Sequence, residues 1–344
     1  TSEEFLKNAR PKGFTLEKHM QLNAKFKKWA TGSLLAAATL TTSLIAQAES
    51  YVAITQIVEH PSLDAIRQGV KDELAERGYN EGQNLKWNYE SAQGNPTIAA
   101  QIAKKFAGDG PDVIVAITTP SAQTAVASAR GIPVVFSAVT DPVGAKLVKA
   151  LDKPGRWVTG TTDMLPMGKH MDLVKQVVPS AKSVGVVFNP GEANSVSSVK
   201  MVHETAPERG MKVVEAAATK SADVLAAARS LVGKVDAIYL PIDNTVISAL
   251  EAVLKIAEQA DIPVITGDTD SVNRGAIAAV GFNYYQVGRQ TGVMVERILK
   301  GEKPKNIPVE GIAKMELVLN PAAAERMGVT LSQDLIQQAK TIVK

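Results

Sequence analysis

The chain has 344 residues, with 38 lysines and arginines against 35 aspartates and glutamates. Residues 1–48 hold seven of the basic and three of the acidic side chains, so 31 meet 32 in the remainder; the overall pI of 8.8 comes from that leader, and no basic footprint for a nucleic acid is left. Cysteine is absent, which excludes a thiol nucleophile, a thiolate metal site and a disulfide framework, and a chain of this size has enough interior to fold without one.

Residues 25–48 read as an export signal. Lys25, Lys27 and Lys28 form a basic region, residues 29–45 are apolar and small, and Ala46-Gln47-Ala48 offers the small-x-small site of a signal peptidase. The apolar run is short and rich in Thr and Ser, a poor fit to a bilayer span. A mature chain starting near Glu49 in the periplasm is therefore expected, with no cysteine at the cleavage site to take a lipid. Residues 1–19 are polar and lie ahead of the signal, so residues 1–48 are set aside as leader. The about 296 residues that remain suit two lobes by the usual domain size.

From there strand and helix alternate. Residues 51–57 form a short apolar strand, and Leu63, Ile66, Val70 and Leu74 then recur at helical spacing up to Gly78. The pattern predicts a strand over 85–89, a helix over 96–107, a buried strand over 113–117, a helix over 122–129, and strands over 134–137 and 157–161. It restarts at Met167 with helix 167–177, strand 184–188, helix 196–209, strand 212–215, helix 222–231, strand 237–240, helix 246–258 and strand 264–266. Such βα repetition implies an α/β fold of two doubly wound parallel sheets with helices on both faces. Residues 112–121 and 236–245 echo each other weakly, each running from a strand into polar residues that open a helix. Ligands in open α/β sheets bind at such strand ends, beside helix N-termini whose free N–H groups attract anions. Two lobes facing each other would make a cleft.

Four runs carry a family resemblance: Ile117-Thr-Thr-Pro-Ser-Ala-Gln, Phe136-Ser-Ala-Val-Thr-Asp-Pro-Val, Val187-Phe-Asn-Pro and Leu240-Pro-Ile-Asp-Asn-Thr. With the signal peptide and the two like lobes, they resemble the periplasmic-binding-type-I substrate-binding proteins of ABC importers, and within these the tryptophan/tyrosine group. The resemblance spans essentially the whole mature chain. It implies a monomer that binds an amino acid, aromatic as in known members, by closing two lobes and presenting the closed form to an inner-membrane ABC permease. It also implies three crossings between lobes, near Asp163, Asp270 and Gly301, with lobe 1 made of 49–162 plus 271–300 and lobe 2 of 163–270 plus 301–344. A periplasmic sensor that delivers the same closed state to a receptor or kinase is the alternative.

The candidate ligand contacts lie at strand ends. Thr118, Thr119 and Ser121 either cap a helix that carries Pro120 near its first turn or offer hydroxyls to a carboxylate, and the two roles are compatible. Ser137, Thr140 and Asp141 follow the next strand, although Asp141 before Pro142 also suits a plain turn. Asp243 and Asn244 follow a buried strand directly; Asp243 is an N-cap or the partner of a ligand ammonium, which needs a carboxylate to offset its desolvation, and the resemblance places the amino group there. Asn189 and Asn194 follow another strand, with Asn194 or Ser195 as helix cap. Thr55 and Gln56 end the first strand. Asp268 is a weaker candidate, beside Gly267 and Ser271, which suggest a turn or a crossing, and His60 reads as a solvent-facing loop residue. An aromatic ligand needs an apolar slot, for which Tyr284 in Phe282-Asn283-Tyr284-Tyr285 is the candidate.

Enzyme readings find no support. The sequence has no G-x-S-x-G elbow, no P-loop and no H-E-x-x-H, and its four histidines are isolated from one another. No metal or cofactor is expected. Related α/β repressors carry a helix-turn-helix where this chain has its export signal, so no nucleic-acid partner is expected either.

Overall fold

The computed structural model describes residues 49–312 and 314–343; the export signal read at 25–48 lies outside them. Sheet one contains β1 (Ser50–Gln56), β2 (Leu85–Ser91), β3 (Val113–Ile117), β4 (Val134–Ser137) and β5 (Val158–Thr162), connected through α1 (Pro61–Glu76), α2 (Pro96–Asp109) and α3 (Thr119–Ser128). The chain then leaves for sheet two: α4 (Met167–Val177), β6 (Ser183–Phe188), α5 (Ala193–Thr205), β7 (Lys212–Ala217), α6 (Val224–Ser230), β8 (Ala237–Leu240), α7 (Asn244–Ser248), α8 (Leu250–Gln259), β9 (Val264–Thr266), α9 (Asp270–Asn273) and β10 (Ala278–Gly281). The long helix α10 (Tyr284–Leu299) packs on α1 and β4, and β11 (Glu310–Gly311) pairs with β5. β12 (Glu316–Leu319), α11 (Pro321–Arg326), α12 (Gln333–Gln338) and β13 (Thr341–Ile342) finish in sheet two.

The sheet orders are β2-β1-β3-β4-β5-β11 and β7-β6-β8-β9-β10-β12-β13. Every pairing is parallel except β10 with β12. The central strands are buried on both faces, which is why β3 and β8 read as unbroken apolar runs and not as alternation. Each sheet reverses its order beside its first strand, between β1 and β3 and between β6 and β8, and those gaps are the switch points at which this architecture takes ligands.

Sheet membership corrects the expected lobe boundaries. β10 lies beside β9 in sheet two, so the chain returns to sheet one at 282–283 and not near Asp270, and β11 keeps the chain in sheet one past Gly301 until 312–315. The sequence conceals this because β10 is Ala-Ala-Val-Gly, too short and too small-chained to announce a strand. The helix expected over 246–258 is broken at Ala249, where Ser248 Oγ bonds back to the Thr245 carbonyl at 2.8 Å, a competitor for helical geometry. The tightest helix contact is α1 on α10. Gly69 and Gly288 face each other's helix backbones there, and a side chain at either would strike main-chain atoms of the partner.

Candidate ligand-binding cleft

The switch points of the two sheets face a common cavity. Sheet one supplies His60, Ser62, Leu63, Thr118 and Ala138; sheet two supplies Ile242, Asp243, Asn244, Ile247 and Asp268; Asp163 and Tyr284 stand at the first two crossings. None of these lining residues is a lysine or arginine. The wall is rich in acceptors, with an apolar lining from the leucine, the isoleucines and the Tyr284 ring.

Two wall residues have unusual backbones. Thr118 has φ +72° and ψ 167° and Ala138 has φ +53°. Thr118 lies in a region that is essentially glycine's alone, and such strain persists only where the surroundings enforce it. Thr118 precedes α3 yet makes no capping bond, and its Oγ1 is buried without a partner. Thr119 Oγ1 and Ser121 Oγ in the same turn are likewise unpartnered, as are Thr55 Oγ1 and Gln56 Oε1 at the end of β1 and His60 Nδ1 just before α1. Gln56 spends its amide nitrogen on Asp64 Oδ1 (3.0 Å) and the Val58 carbonyl (3.1 Å), which leaves the oxygen free. Across the cleft, Asn194 Oδ1 and Ser198 Oγ are also buried and unpartnered, one turn apart on α5. Buried polar atoms normally find partners, and a cluster of exceptions asks for an explanation.

The three carboxylates differ. Asp243 is buried and caps α7 through Oδ1 to Val246 N (2.8 Å), while Oδ2 accepts from Asn189 N (2.6 Å) and Ser195 Oγ (2.5 Å). Burial first, and the charge of Glu192 second, pushes its carboxyl up to about 7. Asp163 accepts from Thr140 Oγ1 (3.0 Å) and Tyr284 OH (3.1 Å), and burial raises it to about 6. Asp268 holds Ser271 N (2.9 Å) and Ser271 Oγ (2.6 Å) in a turn and accepts from Ser62 Oγ at 3.2 Å, a bond between elements of the two sheets. A second such bond joins Asp141 Oδ2 to Ser197 Oγ at 3.2 Å.

Residues 51–343 match the family described as ABC transporter substrate binding protein. The chain belongs to that family. This substrate-binding protein is 39% identical over 291 residues to a tyrosine-binding protein of Clostridioides difficile, covering 84% of each chain. Among solved structures it resembles the ABC domain in complex with L-Trp from Streptococcus pneumonia, with TM-score 0.83, 32% identity, and 86% of this chain and 100% of the other covered. It also resembles the ligand-free, open structure of a substrate-binding protein with adhesive properties from Clostridium difficile, with TM-score 0.65, 40% identity, and 86% and 99% covered. The fold is that of the type I periplasmic binding proteins. Among the described residues no helix is long and apolar enough to cross a membrane.

Of the residues singled out from the sequence of this substrate-binding protein, Thr118, Asp243, Asn244, Asp268 and Tyr284 line the cavity, and Thr55, Gln56, Thr119, Ser121 and Asn194 carry buried unpartnered atoms. Others are engaged elsewhere. Ser137 Oγ bonds Thr291 Oγ1 at 2.6 Å and so fastens α10 to β4; Asn189 Oδ1 closes a turn on Gly191 N (2.8 Å) while its nitrogen holds Thr245 Oγ1 (2.8 Å). Thr140 reaches Asp163, and Asp141 closes a turn on Gly144 N at 2.8 Å besides reaching Ser197. Neither Asn194 nor Ser195 caps α5, because the helix begins at Ala193 with both residues inside its first turn. His60 is at the cavity wall, not in solvent, and burial, with the charge of Arg274 second, lowers it to about 3, so it stands there as a neutral ring. Of the aromatic run, Phe282 is core and Tyr285 bonds Asp72 on α1, leaving Tyr284 as the ring on the cavity. Sequence reasoning missed Ser62, Asp163 and Glu192. Asp163 stood in view as a crossing residue, and the other two reach their partners only through contacts remote in the chain.

Proposed function

We propose that this protein is the periplasmic solute-binding component of an ABC importer, that its ligand is an aromatic amino acid, and that two lobes, built on the two sheets, close around it. The observation that carries the reading is an acceptor-rich cavity without lysine or arginine between the two switch points, with the unpartnered Thr118 Oγ1 and His60 Nδ1 on its sheet-one wall and further buried, unpartnered atoms of Thr119, Ser121, Asn194 and Ser198 on the helices that start at the strand ends of both sheets. A zwitterion complements it. The ligand carboxylate meets the hydroxyls of Thr118, Thr119 and Ser121 at the N-terminus of α3, where free N–H groups favour an anion. The ammonium meets the sheet-two wall, where Asp243 keeps an acceptor position beyond its three internal bonds, and the ring packs on Tyr284, Leu63 and Ile247. The relatives support this choice, since one is named for tyrosine and another was solved with L-Trp.

Closure is supported by shape. The chain superposes better on the L-Trp complex than on the open, ligand-free relative, although the latter is nearer in sequence, and the Ser62–Asp268 and Asp141–Ser197 bonds tie the sheets together across the cleft. Calorimetry with L-tryptophan and L-tyrosine, combined with small-angle scattering, tests the reading. Saturable binding with a smaller radius of gyration is expected; binding with an unchanged radius would exclude closure, and no heat with either amino acid would exclude the ligand class.

A further inference from the structure

Glu192, at the end of the loop between β6 and α5, is 7% exposed and has no ion-pair partner among the described residues. Donors surround it instead. Oε2 accepts from Asn244 N (3.2 Å), Asn244 Nδ2 (2.5 Å) and Asn194 Nδ2 (3.3 Å), and Oε1 from Thr245 N (3.1 Å) and Thr245 Oγ1 (2.7 Å). The carboxylate therefore joins two loops of sheet two and supplies the N-terminus of α7 with an acceptor from outside the helix.

Its chemistry also fixes something an amide cannot fix alone. An asparagine side chain has a donor end and an acceptor end of nearly equal size, and its surroundings decide which way each points. A carboxylate only accepts, so Glu192 draws the nitrogens of both Asn194 and Asn244 to itself. The nitrogen of Asn194 is held a second time by the carbonyl of Ile242 (3.0 Å), a cavity residue. The Asn194 oxygen must then face the other way, where it is buried and unpartnered.

We propose that Glu192 is a positioning residue that sets the polarity of the sheet-two wall, orienting the Asn194 amide so that its oxygen, beside Asp243, accepts from the ammonium of the bound amino acid. This rests on the amino-acid reading above and adds to it the group that decides between an amine-bearing ligand and its deaminated analogue. With Glu192 in place the wall offers acceptors, and a ligand without a donor at that point leaves them empty in a closed cleft, which is costly.

The test is calorimetry of three proteins, wild type, Glu192→Gln and Glu192→Gln/Asn194→Asp, each titrated with L-tyrosine and with 3-(4-hydroxyphenyl)propionate, which lacks the ammonium. In Glu192→Gln the residue at 192 can meet Asn194 with either end of its amide, so only the Ile242 carbonyl still favours the original orientation and the Asn194 amide is less firmly held. Affinity for L-tyrosine is expected to fall about 10-fold or more, the effect of mispairing one buried polar group, and the preference for L-tyrosine over the propionate to fall by a similar factor. In the double variant the carboxylate introduced at position 194 has acceptors only; one oxygen takes its donor from the glutamine amide at position 192 and opposes the Ile242 carbonyl while the other faces the ligand, so the preference, though not the full affinity, should return. An equal loss for both ligands in Glu192→Gln, or no recovery in the double variant, would make Glu192 a structural brace only and overturn the proposal while leaving the amino-acid reading intact. Failure of the wild type to bind L-tyrosine or L-tryptophan would remove both. Urea midpoints of the three proteins, measured alongside, separate a folding defect from a change in preference.

Discussion

Replacing Asp243 by asparagine sets two sizeable effects against each other, and pH separates them. The carboxylate takes three internal donors, from Asn189, Ser195 and Val246. Asparagine has a single acceptor oxygen and must turn its nitrogen toward one of those donors, which costs about 1–3 kcal/mol. Against this, the substitution removes a charge that is costly first because it is buried and second because it repels Glu192. With the carboxyl raised from 3.8 to about 7, the relief is at most on the order of 4 kcal/mol once the wild-type group is ionised in both states. The sign follows from proton counts. Between about pH 4 and pH 7 the unfolded aspartate has lost its proton and the folded one has kept it, so this group makes the wild type lose stability as pH rises through that window, and asparagine contributes no such slope. Asp243→Asn is therefore expected to be less stable than wild type at pH 4.5, to converge on it by pH 7, and to match or exceed it at pH 8. Urea unfolding of the ligand-free proteins at those values measures the difference. A gap that stays constant with pH, or widens toward pH 8, would refute the raised carboxyl.

Gly288→Ala places a methyl group against the main chain of Ile66 on α1; this overpacking outweighs the gain in helix propensity, and a net loss of about 1–3 kcal/mol is expected in urea unfolding. The same change at Gly108, inside α2 with nothing near it, should stabilise by up to about 1 kcal/mol, and a loss at both sites would contradict the close approach of α1 and α10. Ser62→Ala deletes one of the two bonds that join the sheets across the cleft. It should weaken ligand binding about 5-fold and enlarge the ligand-free radius of gyration while changing the urea midpoint little; an unaltered affinity would deny that bond a part in closure.

The interior of the fold was legible because burial writes itself into composition. Strands β3, β4, β8 and β9 fall where continuous apolar runs placed them, and α4 runs over the predicted residues 167–177. The tail of the chain was not legible, since β10 is made of small residues and β11 and β13 have two residues each, too few to show a period. Of the cleft, the part governed by a general rule could be read: hydroxyls and acids that follow buried strands, such as Thr118, Asp243 and Asp268. Glu192, Ser62 and His60 follow no strand directly. Their partners are 52, 53 and 206 residues away in the cases of Glu192 and Ser62, and nothing local to those positions signals which loop will meet which. Thr118 and Ser195 illustrate a subtler limit, for both look like helix caps in sequence and neither serves as one, the first because of its backbone and the second because the helix starts two residues earlier, at Ala193, which leaves its hydroxyl to Asp243.

The backbone of Thr118 bears on when the protein meets the cost of recognition. A glycine would sit at φ +72° and ψ 167° without strain, whereas a β-branched residue there costs about 1–3 kcal/mol. That cost falls on folding, once per molecule, and the backbone that aims the hydroxyl is in place before any ligand arrives. Each capture event is thereby relieved of ordering that side chain. A protein that must load and unload repeatedly gains more from such standing readiness than it loses in stability, and Thr118→Gly should accordingly yield a more stable protein that binds less tightly.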